Sequence, residues 1–235
     1  MKHRQDILNK VCWLESLDQM ADATAAALAQ GAAGSAFHLF RDGQFRRLAG
    51  FARLSQTEQD RIFNELVVAY IVLIILALEA PDLRIAGEFR HYLAGLNKKI
   101  PKAYVDHLKN LGVEARHLLD WEKLIAMRYD EYARDRHDVR AAAMQIESSQ
   151  KKLDLDSLSK IQMLLPVQTV AIGCHHHVCR GDTNGHDELF KLTLNSLSRF
   201  YVAIRVRLEG GKMTPLTRAR AALRRMVRRE RKKTN

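Results

Sequence analysis

Apolar residues recur every three or four positions through most of the chain, a spacing that puts them on one side of a helix and does not suit a strand. Residues 4–30 carry the pattern up to the Gly31-Ala-Ala-Gly34 break, and 35–53 resume it around Phe37, Leu39 and Phe45. Ser55-Gln-Thr-Glu58 has the form of a capping box: the Ser55 hydroxyl receives the Glu58 amide, and the Glu58 carboxylate returns to the amide of Ser55. The helix it opens runs to Ala80, where Pro81 excludes a helical predecessor. Asp82 is placed to cap a helix over 83–97, on which Ile85, Phe89, Leu93 and Leu96 share a face, and Pro101 opens a short helix that Gly112 closes. Residues 113–148 contain neither Pro nor Gly and predict one long helix. Asp156 or Ser157 caps the next apolar segment, to Ile172, which Pro166 should kink or divide. After a polar loop over 173–187, Phe190, Leu194, Leu197, Tyr201, Ile204 and Leu208 form a single amphipathic stripe. Gly210-Gly211 ends it, and Thr214-Pro215 starts a last helix.

These elements predict an all-α, multi-helix bundle of about eight helices over 1–211, with a possible subdivision near 148–156, followed by a basic helix or tail over 212–235. With only 4 Pro and 12 Gly, the chain lacks the frequent turns of an all-β fold. Leu66 to Leu78 is the one long apolar run, closed in by Glu65 and Glu79. Its 13 residues would span about 20 Å as a helix, short of the roughly 30 Å of a bilayer core, so the expectation is a buried central helix and no transmembrane segment. A charged start without an apolar leader and three cysteines, Cys12, Cys174 and Cys179, suit a cytoplasmic protein. From Met127 to Arg140 charges of both signs alternate through Arg128, Asp130, Glu131, Arg134, Asp135, Arg136 and Asp138, which reads as a solvated face laced with ion pairs.

Charge changes the picture most at one end. Of the formal +11, the ten bases from Lys212 onward against the single acid Glu230 account for +9, while the other 211 residues hold 28 bases and 26 acids, or +2. Seven of the ten are arginines, whose planar forks suit phosphate oxygens. An anionic membrane surface is a weaker fit, because the apolar stripe offers only Leu216, Leu223, Met226 and Val227.

Candidate chemistry lies elsewhere. The stretch from Gly173 to His186 holds two thiols and four imidazoles. Tetrahedral zinc would take Cys174, Cys179, His186 and one of His175 to His177, His177 for preference; the alternative is a polar loop with partly buried thiols. Two Glu-x-x-His pairs, Glu88 to His91 and Glu114 to His117, are similar to those of di-iron carboxylate bundles, although the further lone glutamates of that pattern are missing beyond Glu65. Arg84 with His91, and Arg180 with His186, resemble in spacing the Arg–His pair of HEPN-type helical ribonucleases, a likeness of two positions. No phosphate-binding glycine loop, nucleophile elbow or His-Glu-x-x-His helix is present.

The function expected is non-enzymatic binding of nucleic acid, RNA or DNA, as an accessory subunit among other proteins of a nucleoprotein complex. Contact with phosphates falls to Arg218, Arg220, Arg224, Arg225, Arg228, Arg229 and Arg231, with Lys232 and Lys233 beside them. The alternatives are a HEPN-like ribonuclease, a metal-binding helical protein, and an interaction scaffold or membrane-surface binder.

Overall fold

The computed structural model describes residues 17–84, 90–150 and 153–209, and every regular element among them is helical. Seven α-helices follow one another: α1 (Leu17–Arg41), α2 (Gly43–Leu48), α3 (Gln56–Leu78), α4 (Arg90–Asn110), α5 (Ala115–Gln150), α6 (Leu155–Val178) and α7 (Asp187–Leu208), with a 3-10 turn at Phe51–Arg53. The all-α bundle is as expected, with seven helices among the described residues in place of about eight.

The apolar run dictates the arrangement. From Leu66 to Ala77 every side chain of α3 is buried, and a helix that is apolar on all sides must be enclosed by others. Helices α1, α4, α5, α6 and α7 all pack against it. By length and composition α3 is also apolar enough to cross a membrane, and 78% of its most apolar window is buried inside the molecule.

On α1 the buried stripe is made of alanines, Ala21, Ala25, Ala29, Ala32 and Ala36, which let its backbone come close to α3 and α4. Thr24 Oγ1 and Tyr92 Oη lie 2.6 Å apart, and Lys99 Nζ reaches Asp18 and Asp22 at 2.7 and 2.5 Å. On the other side of α3, Tyr70 Oη meets Ser196 Oγ at 2.6 Å, and the Tyr70 and Phe200 rings pack edge to face at 4.9 Å between centroids. Arg205 closes the end of α7 against Asp82 at 2.6 Å and Glu209 at 2.7 Å.

Several sequence expectations are corrected here. Gly31 and Gly34 do not break α1, and Pro101 and Pro166 lie inside continuous helices. Asp154, rather than Asp156 or Ser157, caps α6, its Oδ1 accepting the Ser157 amide at 2.7 Å. Ser55 caps α3 through the Glu58 amide at 3.3 Å, but the Glu58 carboxylate turns to arginines instead of returning to Ser55. Asp82 receives Arg205. On α7 the buried face is Leu189, Thr193, Leu197, Tyr201 and Ile204, with Phe190, Leu194 and Leu208 at its edge. Gly112 behaves as expected: at φ +86 it ends α4 while its amide and that of Val113 bond back to Lys109 and Leu108.

Candidate functional site

The arginine-rich segment, with Arg218, Arg220, Arg224, Arg225, Arg228, Arg229, Arg231, Lys232 and Lys233, lies outside the described residues, as do Cys12 and Glu88.

The expected polar loop over 173–187 is corrected. Helix α6 continues through Gly173 to Val178, so Cys174 and the three histidines are helical and point in successive directions around its axis. Gly173 makes room on α6 for the Tyr132 ring of α5: a Cβ there would lie 2.1 Å from Cε1 of Tyr132. Cys174 is fully buried in the core, and burial pushes its thiol well above the usual range. His175 is buried with its ring 5.4 Å from that of Phe190, His176 is exposed, and His177 Nε2 lies 2.7 Å from Glu131 Oε1. Cys179 is the half-buried C-cap residue of α6, and His186 precedes α7 as its N-cap. Among the described residues no three His, Cys, Asp or Glu side chains gather as metal ligands.

The charged residues that the structure does bring together are ones the sign alternation assigns to solvent. Arg128 is interior: its Nε and Nη2 donate to the two oxygens of Glu65 at 2.9 and 2.7 Å, and its Nη1 donates to Glu131 at 3.1 Å. The Arg128 and Glu65 side chains are only 13% and 7% exposed. Through Glu131 the chain reaches His177, so Glu65, Arg128, Glu131 and His177 form one line across α3, α5 and α6. Hydrogen bonding to Glu65 drives the Arg128 pKa further up against the opposing effect of burial, so this cation does not titrate. One turn on, the Tyr132 hydroxyl is buried with no hydrogen-bond partner among the described residues, and burial pushes its pKa well up.

Glu79, at the other end of the apolar run, is a second such hub. It accepts from Asn97 Nδ2 at 3.2 Å and Tyr129 Oη at 2.6 Å and faces Arg136 at 3.6 Å. The bond to Glu79, with burial, pushes Tyr129 up to about 12. Both carboxylates that bracket the apolar run are thus met by an arginine of α5. These ion pairs tie α3 to α5 and, through His177, to α6.

At the end of α6, Arg61 donates to the His177 and Val178 carbonyls at 2.7 and 3.1 Å, and Glu58 holds both Arg61 and Arg180. The hydrogen bond from Arg180 is the main reason the Glu58 carboxyl stays below its usual range. Arg180 of the Arg180/His186 pair is therefore engaged by Glu58. For the other ribonuclease-like pair, His91 falls in the first turn of α4. Glu114 and His117 are exposed near the start of α5, Glu114 pairing with Arg116 at 2.9 Å, while Glu65 is committed to Arg128. Sequence reasoning missed the Glu65–Arg128 link, yet one signal pointed to it: a lone carboxylate heading 13 apolar residues requires a cationic partner. No family model, no curated protein and no solved structure matches this chain.

Proposed function

We propose that this protein binds nucleic acid, RNA or DNA, through its phosphate backbone, without catalysis, as an accessory subunit of a cytoplasmic nucleoprotein complex. The observation that carries the reading is the separation of charge, +9 on residues 212–235 against +2 on the other 211. Within the bundle, several interior and half-buried cations are taken up by its own acids: Arg128 by Glu65 and Glu131, Arg205 by Asp82 and Glu209, Lys99 by Asp18 and Asp22. The terminal arginines have one acid, Glu230, within their own segment. Such a cluster gains free energy by displacing counterions from a polyphosphate, which produces tight binding that salt weakens.

The accessory-subunit part of the reading is supported by apolar surface along α5 and α6. There Ile146, Leu164 and Ile172 are exposed, beside Val139 and Ile161, around a groove of about 620 Å³. Contiguous apolar surface of this kind is where protein neighbours pack.

The test is a salt titration of oligonucleotide binding by the full-length protein and by its Arg224→Gln/Arg225→Gln/Arg228→Gln/Arg229→Gln variant. The expected result is weaker binding by the variant and a log–log salt slope shallower by about 3. Equal affinity and slope for the two proteins would overturn the reading. Turnover of RNA that disappears on His91→Ala or His186→Ala would establish the ribonuclease alternative in its place.

A further inference from the structure

The bundle carries a second concentration of arginine, at the turn between α2 and α3. Between α2 and α3 the chain makes a tight turn at Gly50, at φ +70, and a 3-10 turn at Phe51–Arg53. Around that turn is a surface depression of about 650 Å³ lined by Arg46, Arg47, Gly50, Phe51, Ala52 and Arg53. Three guanidinium side chains and, among the described residues, no carboxylate line it, in a chain whose other described cations so often sit on an acid.

The depression is built rather than incidental. The Arg46 guanidinium lies over the Phe51 ring at 4.4 Å and the Phe40 ring at 5.5 Å, and its Nη2 donates to Gln59 Oε1 at 3.3 Å. The Gln59 amide in turn donates to the carbonyls of Leu54 and Phe51 at 3.2 and 3.4 Å, which ties the turn to α3. Arg46 is thereby held in place before any ligand arrives, which removes much of the ordering cost of an ionic contact. Arg47 and Arg53 are exposed, and no ion pair with either is present among the described residues. The acids nearest in sequence are engaged: Asp42 Oδ1 caps the Gln44 and Phe45 amides at 2.8 and 2.9 Å, and Glu58 holds Arg61 and Arg180. Compensation of the helix dipole would account for Arg46 and Arg47, in the last turn of α2, but not for Arg53 beyond it. At Gly50 a Cβ would meet nothing within 4 Å, so the backbone there is open to close approach.

We infer that this depression is a phosphate-binding site of the folded body, and that it holds the backbone of the same nucleic acid the C-terminal arginines grip; it rests on the function proposed above. Paired arginine forks match phosphate oxygens in geometry, and a shallow site open to solvent suits a polymer passing over it.

The test compares three full-length proteins: the parent, Arg47→Ala/Arg53→Ala, and the fourfold Arg→Gln variant of the tail. Each is titrated with a labelled oligonucleotide over a range of salt, with thermal melting as the fold control. Because Arg47 and Arg53 make no ion pair among the described residues, the double variant is expected to melt like the parent, bind about tenfold more weakly, and show a salt slope shallower by about 1.5. Parental affinity and slope in the double variant, alongside a weakened tail variant, would overturn the inference and leave the tail reading standing. The reverse pattern would uphold this site and remove the tail's role. Absence of oligonucleotide binding by the parent would defeat both. An Arg47/Arg53-dependent attachment to anionic vesicles in place of oligonucleotide would assign the corner to a lipid surface and overturn the inference.

Discussion

Glu65 and Arg128 show what a single buried pair is asked to do. Both oxygens of the carboxylate are occupied by one guanidinium, in a site almost closed to water. Removing one partner leaves a charge stranded in the core, whereas replacing both with apolar groups removes the problem. Arg128→Ala is therefore expected to destabilise by about 3–5 kcal/mol, and Glu65→Leu/Arg128→Met to match the parent or exceed it by about 1–4 kcal/mol, read by urea unfolding. Equal losses in the single and double variants would show that the pair is not the source of the cost. His175 sets a pH window of its own. Burial holds its imidazole below the ordinary 6.5, with the His186 backbone partly opposing. The unfolded chain takes up a proton near pH 6.5 that the folded chain declines, so the stability from neutral His175 is complete above that pH and is lost as pH falls toward the folded value. Between about pH 7 and about 5.5 the melting temperature should fall less in His175→Gln than in the parent. Glu58 acts lower, its contribution being lost only as pH drops below 4.5, so the two windows separate.

Helix α6 makes the same kind of argument for an element. It can lie against α5 because Gly173 offers no side chain to the Tyr132 ring, which would meet a Cβ at 2.1 Å. Gly173→Ala should cost about 1–3 kcal/mol through overpacking. If the ring is the obstacle, Tyr132→Leu combined with Gly173→Ala costs less than the two changes summed, a coupling that denaturant titration of the four proteins would reveal. The elements also show which sequence signals carried information. Ser55, Gly112 and the apolar run of α3 were legible because caps and helices apolar on every side act locally. Gly31, Gly34, Pro101 and Pro166 misled because their penalties, about 1 kcal/mol per glycine and about 3 per proline, are outweighed by tertiary packing. Around Pro101 that packing comes from the buried Leu96, Ile100 and Tyr104, and along α1 from a stripe of alanines too small to register as a core pattern. Arg128 and Glu131 look like surface residues in the sequence because their partners, Glu65 and His177, lie 63 and 46 residues away, beyond any local periodicity.

At the scale of the whole molecule, stability and charge occupy different parts of the chain. The buried cluster that holds the described residues together extends from Ala21 to Ile204. A chain ending at Gly211 keeps all of it and loses +9, falling from +11 to +2. Removing like charge relieves self-repulsion, so the shortened chain should melt slightly higher than the parent in dilute buffer, and the difference should shrink as salt shortens the screening length to about 8 Å at physiological strength. At that strength the two melting temperatures should agree within about 2 °C, less than the shift about 1 kcal/mol would produce in a domain of this size. Oligonucleotide binding by the shortened chain, meanwhile, should keep only the shallow salt slope of the Arg46, Arg47 and Arg53 site. A drop of about 10 °C on shortening would contradict this division, because it would mean that residues 212–235 contribute several kcal/mol to the fold and that their arginines serve the body before they serve any phosphate.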